Sequence, residues 1–259
     1  MGHPMKIFLI FLAIIFQCFF IDISWSKSKL GIGEKAYVWA KNGIWLREEP
    51  AIDAKKIEKL SYGTPLNILS DPEGSYESVV IYGQQGRTAK YSIAGAWRRV
   101  KVENTDYDNK EGYLFDGWLL SLSPLKCEIN AQASAEKSKQ SCEDIVDWCA
   151  RNFHLVNKKK ISLNNPECND CGTTRFVFGK GLIYDKHEPG YGSSEELTLP
   201  GFNLSEGTIA ALGLFEWWDG EKPRISLSEK RVSFFGTYQT LIVELNKKGV
   251  KIIDSCRDC

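Results

Sequence analysis

Short apolar runs separated by turn residues fill the chain between residues 36 and 121, and this pattern constrains the fold more than any other feature. The runs read AYVWA, GIWL, KIEKL, PLNIL, WRRVKV, EGYLF and GWLLSL, and none continues with a helix-length period. Runs of this kind favour a compact antiparallel structure over helices. We therefore predict a small β-barrel for this part of the chain.

The end of one predicted strand can be placed from its own residues. The run Ile44-Trp45-Leu46 is followed within four residues by Pro50. Proline cannot donate a hydrogen bond to a neighbouring strand, and it biases the preceding Glu49 toward extended geometry. The chain is therefore expected to leave the sheet after Leu46 and to enter a polar loop.

A series of motifs in this region resembles a bacterial SH3 (SH3b) domain. In order, the motifs are GIWLREEP, Ile57 with Leu60, Tyr62-Gly63, Leu66 to Leu69, Trp97 to Val102, Gly112 to Phe115, and Trp118-Leu119. They match the family series of L-R-x-x-P, I-x-x-L-x-x-G, V-x-V-L, W-x-x-V and G-Y-V with a final aromatic-Leu pair. The resemblance covers residues 36–122, about a third of the chain, and implies an SH3-like small barrel.

The sequence departs from the family pattern at two places. Trp45 stands where the family usually has a small polar residue. The interval between Leu69 and Trp97 is longer than the usual loop, and its pieces ESVVIYG and RTAKYSIAG predict an additional hairpin across Gln84-Gln85-Gly86.

The SH3b resemblance implies a targeting module that contacts cell-wall peptidoglycan. Flat amphipathic rings provide contact area at little cost in entropy. The candidate ligand-binding residues are therefore Trp39, Trp45, Tyr113 and Trp118. The competing interpretation is that most of these rings fill a small core.

The first 26 residues have the pattern of a secretory signal. Lys6 precedes an apolar run over residues 7–21, and small residues flank Trp25. We expect cleavage after Ser26. The alternative is an uncleaved anchor, although the run is shorter than the roughly 20 residues that a membrane helix needs. No second apolar run follows, so we predict an exported bacterial protein, periplasmic or secreted, with no integral membrane segment after cleavage.

The overall charge disfavours nucleic acid as a partner. Lys plus Arg and Asp plus Glu each number 33. The balance produces no general field that would attract a polyanion or an anionic membrane. We therefore expect peptidoglycan or a protein ligand as the partner.

Cysteines separate the chain into two chemically different parts. Seven remain after signal cleavage, all beyond residue 126: Cys127, Cys142, Cys149, Cys168, Cys171, Cys256 and Cys259. We interpret 127–141 as a linker. We interpret 142–259 as a second domain, mainly β with one helix, that resembles no family we recognise. The predicted fold class is thus mainly β, an SH3-like small barrel followed by an antiparallel β domain.

Two local patterns in the second part predict structure. Ser141 to Asp144 has the form of a capping box and predicts a helix with Cys142 and Cys149 on one face. Those two residues would then lie about 10 Å apart, too far for a bond to each other. The segments TLIVEL and GVKII, on either side of residues 246–249, predict a hairpin.

The pairs Cys168-x-x-Cys171 and Cys256-x-x-Cys259 admit several kinds of chemistry. Export favours disulfides, so all seven cysteines are disulfide candidates, with at least one left unpaired by the odd count. The same spacing would suit a structural zinc held by Cys168, Cys171, Cys256 and Cys259. A thioredoxin-like motif and a cysteine peptidase built on Cys171 fit less well, because no βαβ pattern follows and only His187 lies downstream.

The residues contain no arrangement that predicts catalysis. Glu195 and Glu196 are adjacent, and adjacent positions on a strand point to opposite faces of a sheet. We therefore predict an exported binding or interaction protein without a cofactor, not an enzyme. The alternative is a cell-wall hydrolase or amidase whose catalytic half has diverged.

Overall fold

The computed structural model describes residues 30–69, 77–82, 90–103, 110–129, 140–162, 172–188, 193–215 and 223–256. The predicted signal (1–26), most of the predicted linker, and Cys168, Cys171 and Cys259 lie outside these ranges. The described residues form two large antiparallel sheets, two short strand pairs and two α-helices, so the prediction of a mainly β chain is confirmed.

The first half of the chain forms a seven-stranded sheet with an additional hairpin. Its strands are β1 (Lys35–Val38), β2 (Ile44–Arg47), β3 (Lys56–Leu60), β4 (Pro65–Ile68), β5 (Glu77–Tyr82), β6 (Lys90–Gly95), β7 (Trp97–Val102), β8 (Glu111–Phe115) and β9 (Leu119–Leu120). The order in the large sheet is β3-β2-β8-β7-β4-β1-β9, and β5 pairs with β6. The predicted hairpin in the interval before Trp97 is therefore confirmed.

The prediction of a closed small barrel is not confirmed. Within the described residues no pairing joins the two edge strands, β3 and β9. β9 has only two residues and pairs with β1, while β3 pairs with β2. β2 does end at Arg47, as expected from the following Pro50.

A compact apolar cluster lies on one face of this sheet. Leu46, Leu60, Leu66, Val100 and Leu114 are all fully buried in it. They come from five different strands, and on β4 and β7 a further buried member, Ile68 or Val102, follows two positions later, because successive side chains of a strand point to opposite faces.

A charged pair is also buried against this sheet. Arg98 donates from Nε to Asp116 Oδ2 at 2.8 Å, and the two side chains are 2% and 1% exposed. Asp116 begins a one-turn 3-10 helix (Asp116–Trp118), and its Oδ1 accepts the backbone N–H of Ala96 at 2.6 Å. The carboxylate therefore links the start of β7 to the turn that follows β8.

The second half of the chain forms an eight-stranded sheet and both helices. Its elements are β10 (Cys127–Ile129), β11 (Gln140–Cys142), α1 (Ile145–Asn152), β12 (Leu155–Ser162), β13 (Gly172–Phe178), β14 (Ile183–Glu188), β15 (Ser193–Pro200), α2 (Leu204–Leu214), β16 (Arg224–Ser228), β17 (Arg231–Phe235), β18 (Gln239–Asn246) and β19 (Gly249–Cys256). The sheet order is β12-β13-β14-β15-β19-β18-β17-β16, and β10 pairs separately with β11.

The predicted start of the first helix was wrong by three residues. The N-cap is Asp144, whose side chain accepts the N–H of Asp147 at 2.7 Å. Cys142 belongs to β11, outside the helix, and lies directly opposite Cys127 of β10. A pair of short strands, β10 and β11, therefore joins the two ends of the predicted linker.

The second helix, α2, was not predicted. A capping box begins it, with Asn203 Oδ1 accepting the N–H of Glu206 and Glu206 Oε2 accepting the N–H of Asn203, both at 2.9 Å. Seven of its eleven residues are buried, so the helix has no polar face. Without a polar face, a sequence shows no helical period.

The hairpin predicted near the C-terminus is confirmed. Leu245 pairs with Val250 and Val243 with Ile252 across the turn at residues 246–249. Neither described helix, of eight and eleven residues, is long and apolar enough to span a membrane.

The two halves share one hydrophobic core, centred on two tryptophans. The ring of Trp39, just after β1, packs edge-to-face on Trp148 of α1, with centroids 6.2 Å apart. A Cβ at Gly213 of α2 would lie 2.5 Å from the Trp39 ring, so only glycine allows this approach. The two indole N–H groups donate to neighbouring carbonyls, Trp39 to Leu122 and Trp148 to Ser123, each at 2.7 Å.

Replacing Asp116 by alanine is expected to lower the free energy of unfolding by about 3 to 5 kcal/mol, because the buried Arg98 loses its carboxylate. The matched control is Glu111→Ala in β8, which removes the exposed partner of Arg99 and is expected to cost at most about 1 kcal/mol. Urea denaturation of both variants measures the difference. Equal losses would show that burial does not strengthen the Arg98–Asp116 pair.

Candidate functional site

The four aromatic residues predicted to form a contact surface do not share one environment. Trp39 is 1% exposed, so its prediction as a surface residue is corrected: it is the centre of the shared core. Trp45 is 38% exposed, with the ammonium of Lys56 lying 4.8 Å from its ring centroid. Tyr113 and Trp118 are half-buried and pack against the shared core.

A cleft of about 820 Å³ lies between the two halves, next to the shared core. Tyr62 and Gly63 line it from the first sheet, and the start of α1 and the end of α2 line it from the second half. Ligand sites are commonly clefts of this size that combine apolar walls with a few converging polar groups. The cleft is therefore the candidate functional site.

The floor of the cleft is a continuation of the core face of the second sheet. One row of cross-strand partners on β14, β15 and β19 consists of Tyr184, Leu197 and Ile252, and all three side chains are buried. The next row on the same face consists of Lys186, Glu195 and Asp254, which line the cleft. The strands thus extend past the apolar core, and their inward positions become charged there.

Asp254 in this row has a strongly perturbed pKa. The pKa of Asp254 is raised from 3.8 to about 6: burial raises it most, a hydrogen bond from Gln239 lowers it, and the nearby Glu195 carboxylate raises it by a smaller amount. Gln239 Nε2 donates to Asp254 Oδ1 at 2.8 Å. A carboxyl group with a pKa near 6 can exchange protons close to neutral pH.

Two tyrosines contribute phenol groups to the cleft. Burial raises the pKa of Tyr184 above its ordinary value, and the adjacent Glu195 carboxylate, which interacts with the phenol, adds to the effect. Burial likewise raises the pKa of Tyr62. Both phenols therefore remain protonated; Tyr62 donates to the carbonyl of Gly213 at 3.4 Å, and Tyr184 is hydrogen-bonded with Glu195.

Two further carboxylates at the cleft are occupied by structural contacts. Glu143 accepts from Arg151 Nε at 2.9 Å and from its terminal nitrogen at 2.6 Å, and these hydrogen bonds lower the pKa of Glu143. Asp144 caps α1. Arg151 also donates to the carbonyl of Pro124 at 2.8 Å, so this group ties α1 to the segment between the halves.

Disulfide bonds form part of the cleft wall. Cys127 is bonded to Cys142, Cys256 is also disulfide-bonded, and all three line the cleft. Cys149 is a free, fully buried thiol, so its prediction as a disulfide candidate is corrected. Burial raises the pKa of Cys149, which makes the thiolate unfavourable. Its position on the buried side of α1 keeps it from a partner among the described cysteines.

The zinc alternative does not fit Cys256 in its disulfide-bonded form. Zinc requires thiolate ligands, and an oxidised cysteine provides none. The other three residues of that alternative, Cys168, Cys171 and Cys259, lie outside the described ranges.

Sequence reasoning missed the residues that form the cleft floor, although a signal was present. Glu195 precedes Leu197 by two positions, and Asp254 follows Ile252 by two, so each acid occupies an inward position of an otherwise apolar face. The prediction that Glu195 and Glu196 point apart agrees with their contacts. Glu195 lines the cleft, while Glu196 accepts from Lys251 at 2.7 Å.

Comparisons with known proteins leave the family open: no protein-family model, no curated protein and no solved structure matches the chain. The SH3b resemblance of residues 36–122 therefore stays a prediction from its motifs. Any function has to be inferred from the chemistry of the cleft and of the exposed surfaces.

Removing the Cys127–Cys142 bond with a double serine substitution is expected to lower the free energy of unfolding by about 3 kcal/mol, since the bond closes a separation of 15 residues. Guanidinium denaturation measures the change. The control Cys149→Ala keeps the bond and is expected to cost about 1 kcal/mol. An unchanged stability of the double variant would contradict a restraining role for this disulfide.

Asp254→Asn is expected to stabilise the protein at pH 8 but not at pH 3.5. The folded-state pKa of Asp254 is raised from 3.8 to about 6, so stability present below 3.8 is lost as the pH rises through 6. Asparagine can still accept from Gln239 and removes this loss, roughly 2 to 3 kcal/mol. Thermal unfolding across pH 3.5 to 8 tests this, with the exposed Glu229→Gln as control. A difference independent of pH would contradict it.

Proposed function

We propose that this chain is an exported binding protein that contacts cell-wall peptidoglycan and holds a peptide portion of it in the cleft between the two halves. The motifs of residues 36–122 support the cell-wall assignment, because they resemble SH3b targeting modules. The disulfides at Cys127, Cys142 and Cys256 support export, because such bonds persist in oxidising compartments.

The observation that carries the proposal is the cleft itself. Its volume of about 820 Å³ is large enough for a peptide of several residues. Apolar groups such as Val146 and Phe215 line it beside charged groups such as Lys186 and Glu195. Peptide ligands offer both kinds of chemistry, whereas nucleic acid would require a predominantly basic surface.

A second candidate function is hydrolysis of the same material, and one observation favours it. Asp254 has a pKa of about 6 and lies directly opposite Glu195, inside the cleft. Two carboxyl groups in different environments are a common arrangement for a general acid and its partner. On this candidate, Asp254 would donate or accept the proton.

The test is co-sedimentation of residues 27–259 with isolated peptidoglycan, followed by analysis of the supernatant for released muropeptides. Binding without release is expected, since we propose a binding protein. Release that Asp254→Asn abolishes would replace this proposal with the hydrolase. A chain that stays in the supernatant would overturn the cell-wall assignment and direct the search to a protein partner.

Two substitutions locate the binding surface. Ser193→Trp introduces a large ring at the cleft and is expected to reduce the pelleted fraction several-fold, whereas Ser228→Trp on the distant edge strand β16 serves as its control. Trp45→Ala removes the exposed ring beside Lys56. Loss of binding by Trp45→Ala with Ser193→Trp unaffected would move the contact from the cleft to the first sheet.

A further inference from the structure

We propose that the cleft recognises the two opposite charges of a short zwitterionic peptide, with the ammonium group at Glu195 and Asp254 and the carboxylate at Lys186 and Lys160. This inference rests on the proposed function, because it specifies the ligand that the cleft would hold. It adds to that function the orientation in which the peptide would lie in the cleft.

The charged residues of the cleft floor, Lys186, Glu195 and Asp254, belong to one cross-strand row that continues beyond the cleft to the exposed Lys160 of the edge strand. From the outer edge of the sheet inward, the row reads Lys160, Thr174, Lys186, Glu195 and Asp254, each residue directly opposite the next. Directly opposite residues project from the same face of a sheet. The row therefore presents two cations on the outer strands and two anions on the inner strands.

The side-chain contacts place the row on the cleft side of the sheet. Lys158, two residues before Lys160, lies with its ammonium 5.1 Å from the ring centroid of Phe176, which belongs to the buried face. At the other end, the hydrogen bond from the buried Gln239 fixes Asp254. The row thus begins at the exposed Lys160 and ends at the partly buried Asp254.

The two acids of the row have neutral partners only: Glu195 is hydrogen-bonded with the Tyr184 phenol, and Asp254 accepts from the Gln239 amide. Glu143 and Asp144 also line the cleft, but Arg151 occupies the first and the N-terminus of α1 the second. Glu195 and Asp254 lie side by side and repel each other, since the Glu195 carboxylate raises the pKa of Asp254. An ammonium group placed between them would relieve this repulsion.

The separation of the charges sets the length of the ligand. Neighbouring strands lie about 4.8 Å apart, so the centre of the cationic pair and the centre of the anionic pair are separated by about 12 Å. An extended peptide advances about 3.3 to 3.6 Å per residue. A peptide of three to four residues therefore brings its two ends to the two charged pairs.

The walls of the cleft suit the middle of such a peptide. Val146 of α1 and Phe215 at the end of α2 supply apolar surface beside Tyr62, whose hydroxyl donates to the carbonyl of Gly213 at 3.4 Å. Small apolar side chains suit this apolar surface, which the start of α1 and the end of α2 supply. Tetra-alanine is accordingly a suitable probe.

The experiment measures binding of tetra-alanine to residues 27–259 by isothermal titration calorimetry, with N-acetylated and C-amidated tetra-alanine as matched ligands. Acetylation removes the positive charge of the peptide, and amidation removes its negative charge. We expect acetylation, and separately amidation, to weaken binding about tenfold or more, because each removes a charge-assisted hydrogen bond. Equal affinity for the free and the blocked peptides would overturn the inference.

Substitutions assign each end of the peptide to its side of the row. Glu195→Gln is expected to weaken tetra-alanine binding and to abolish the effect of acetylation, while Lys186→Met is expected to abolish the effect of amidation. The controls are Glu229→Gln and Lys247→Met, which remove the same charges at exposed turns. If the control variants weaken tetra-alanine binding as much as Glu195→Gln and Lys186→Met do, the effect comes from the net charge of the protein and the inference fails.

The outcomes for the inference and for the proposed function are distinguishable. A chain that pellets with peptidoglycan but binds tetra-alanine no better than its blocked forms retains the proposed function and loses the zwitterionic site. A chain that discriminates among the peptides but does not pellet retains the site and loses the cell-wall assignment.

Discussion

The contact between Trp39 and Trp148 is the interaction on which the remaining structure depends. It joins a residue that follows the first strand to a helix more than a hundred positions later, and Gly213 closes the group from α2. Large aromatic rings dominate the energetics of such junctions because each buries a large apolar area. The donation of both indoles to the carbonyls of Leu122 and Ser123 also fixes the path of the chain between the halves.

The cleft follows from where this shared core ends. The second sheet is longer than the surface that α2 covers, so its strands carry their alternation beyond the apolar row of Leu197 and Ile252. At the next inward positions the strands line the cleft, and the chain has charged residues there. The Cys127–Cys142 bond and the cap of α1 form the opposite wall. A site of this type requires both halves.

Several parts of the fold were predictable because their signals are local. The period of two in residues 241–252 and the turn between them specify the hairpin β18–β19 without reference to other residues. The helix α2 was not predictable in this way, since its burial on all sides removes the polar face that a helical period requires. Its capping box at Asn203 was a local signal. The start of α1 was misplaced because Ser141 and Asp144 both suit an N-cap, and the strand pairing of Cys142 decided between them.

The sequence by itself determined the mainly β class and the ends of strands at residues such as Pro50. These properties depend on the backbone chemistry of proline and on the alternation of apolar and polar residues, both of which can be read from residues that are neighbours in the sequence. Only the tertiary structure decided that Trp39 is a core residue, that Cys149 is a free thiol, and that Glu195 and Asp254 meet in a cleft. Each of these depends on strands or helices distant in sequence coming together, and no local pattern specifies which distant surfaces pack against each other.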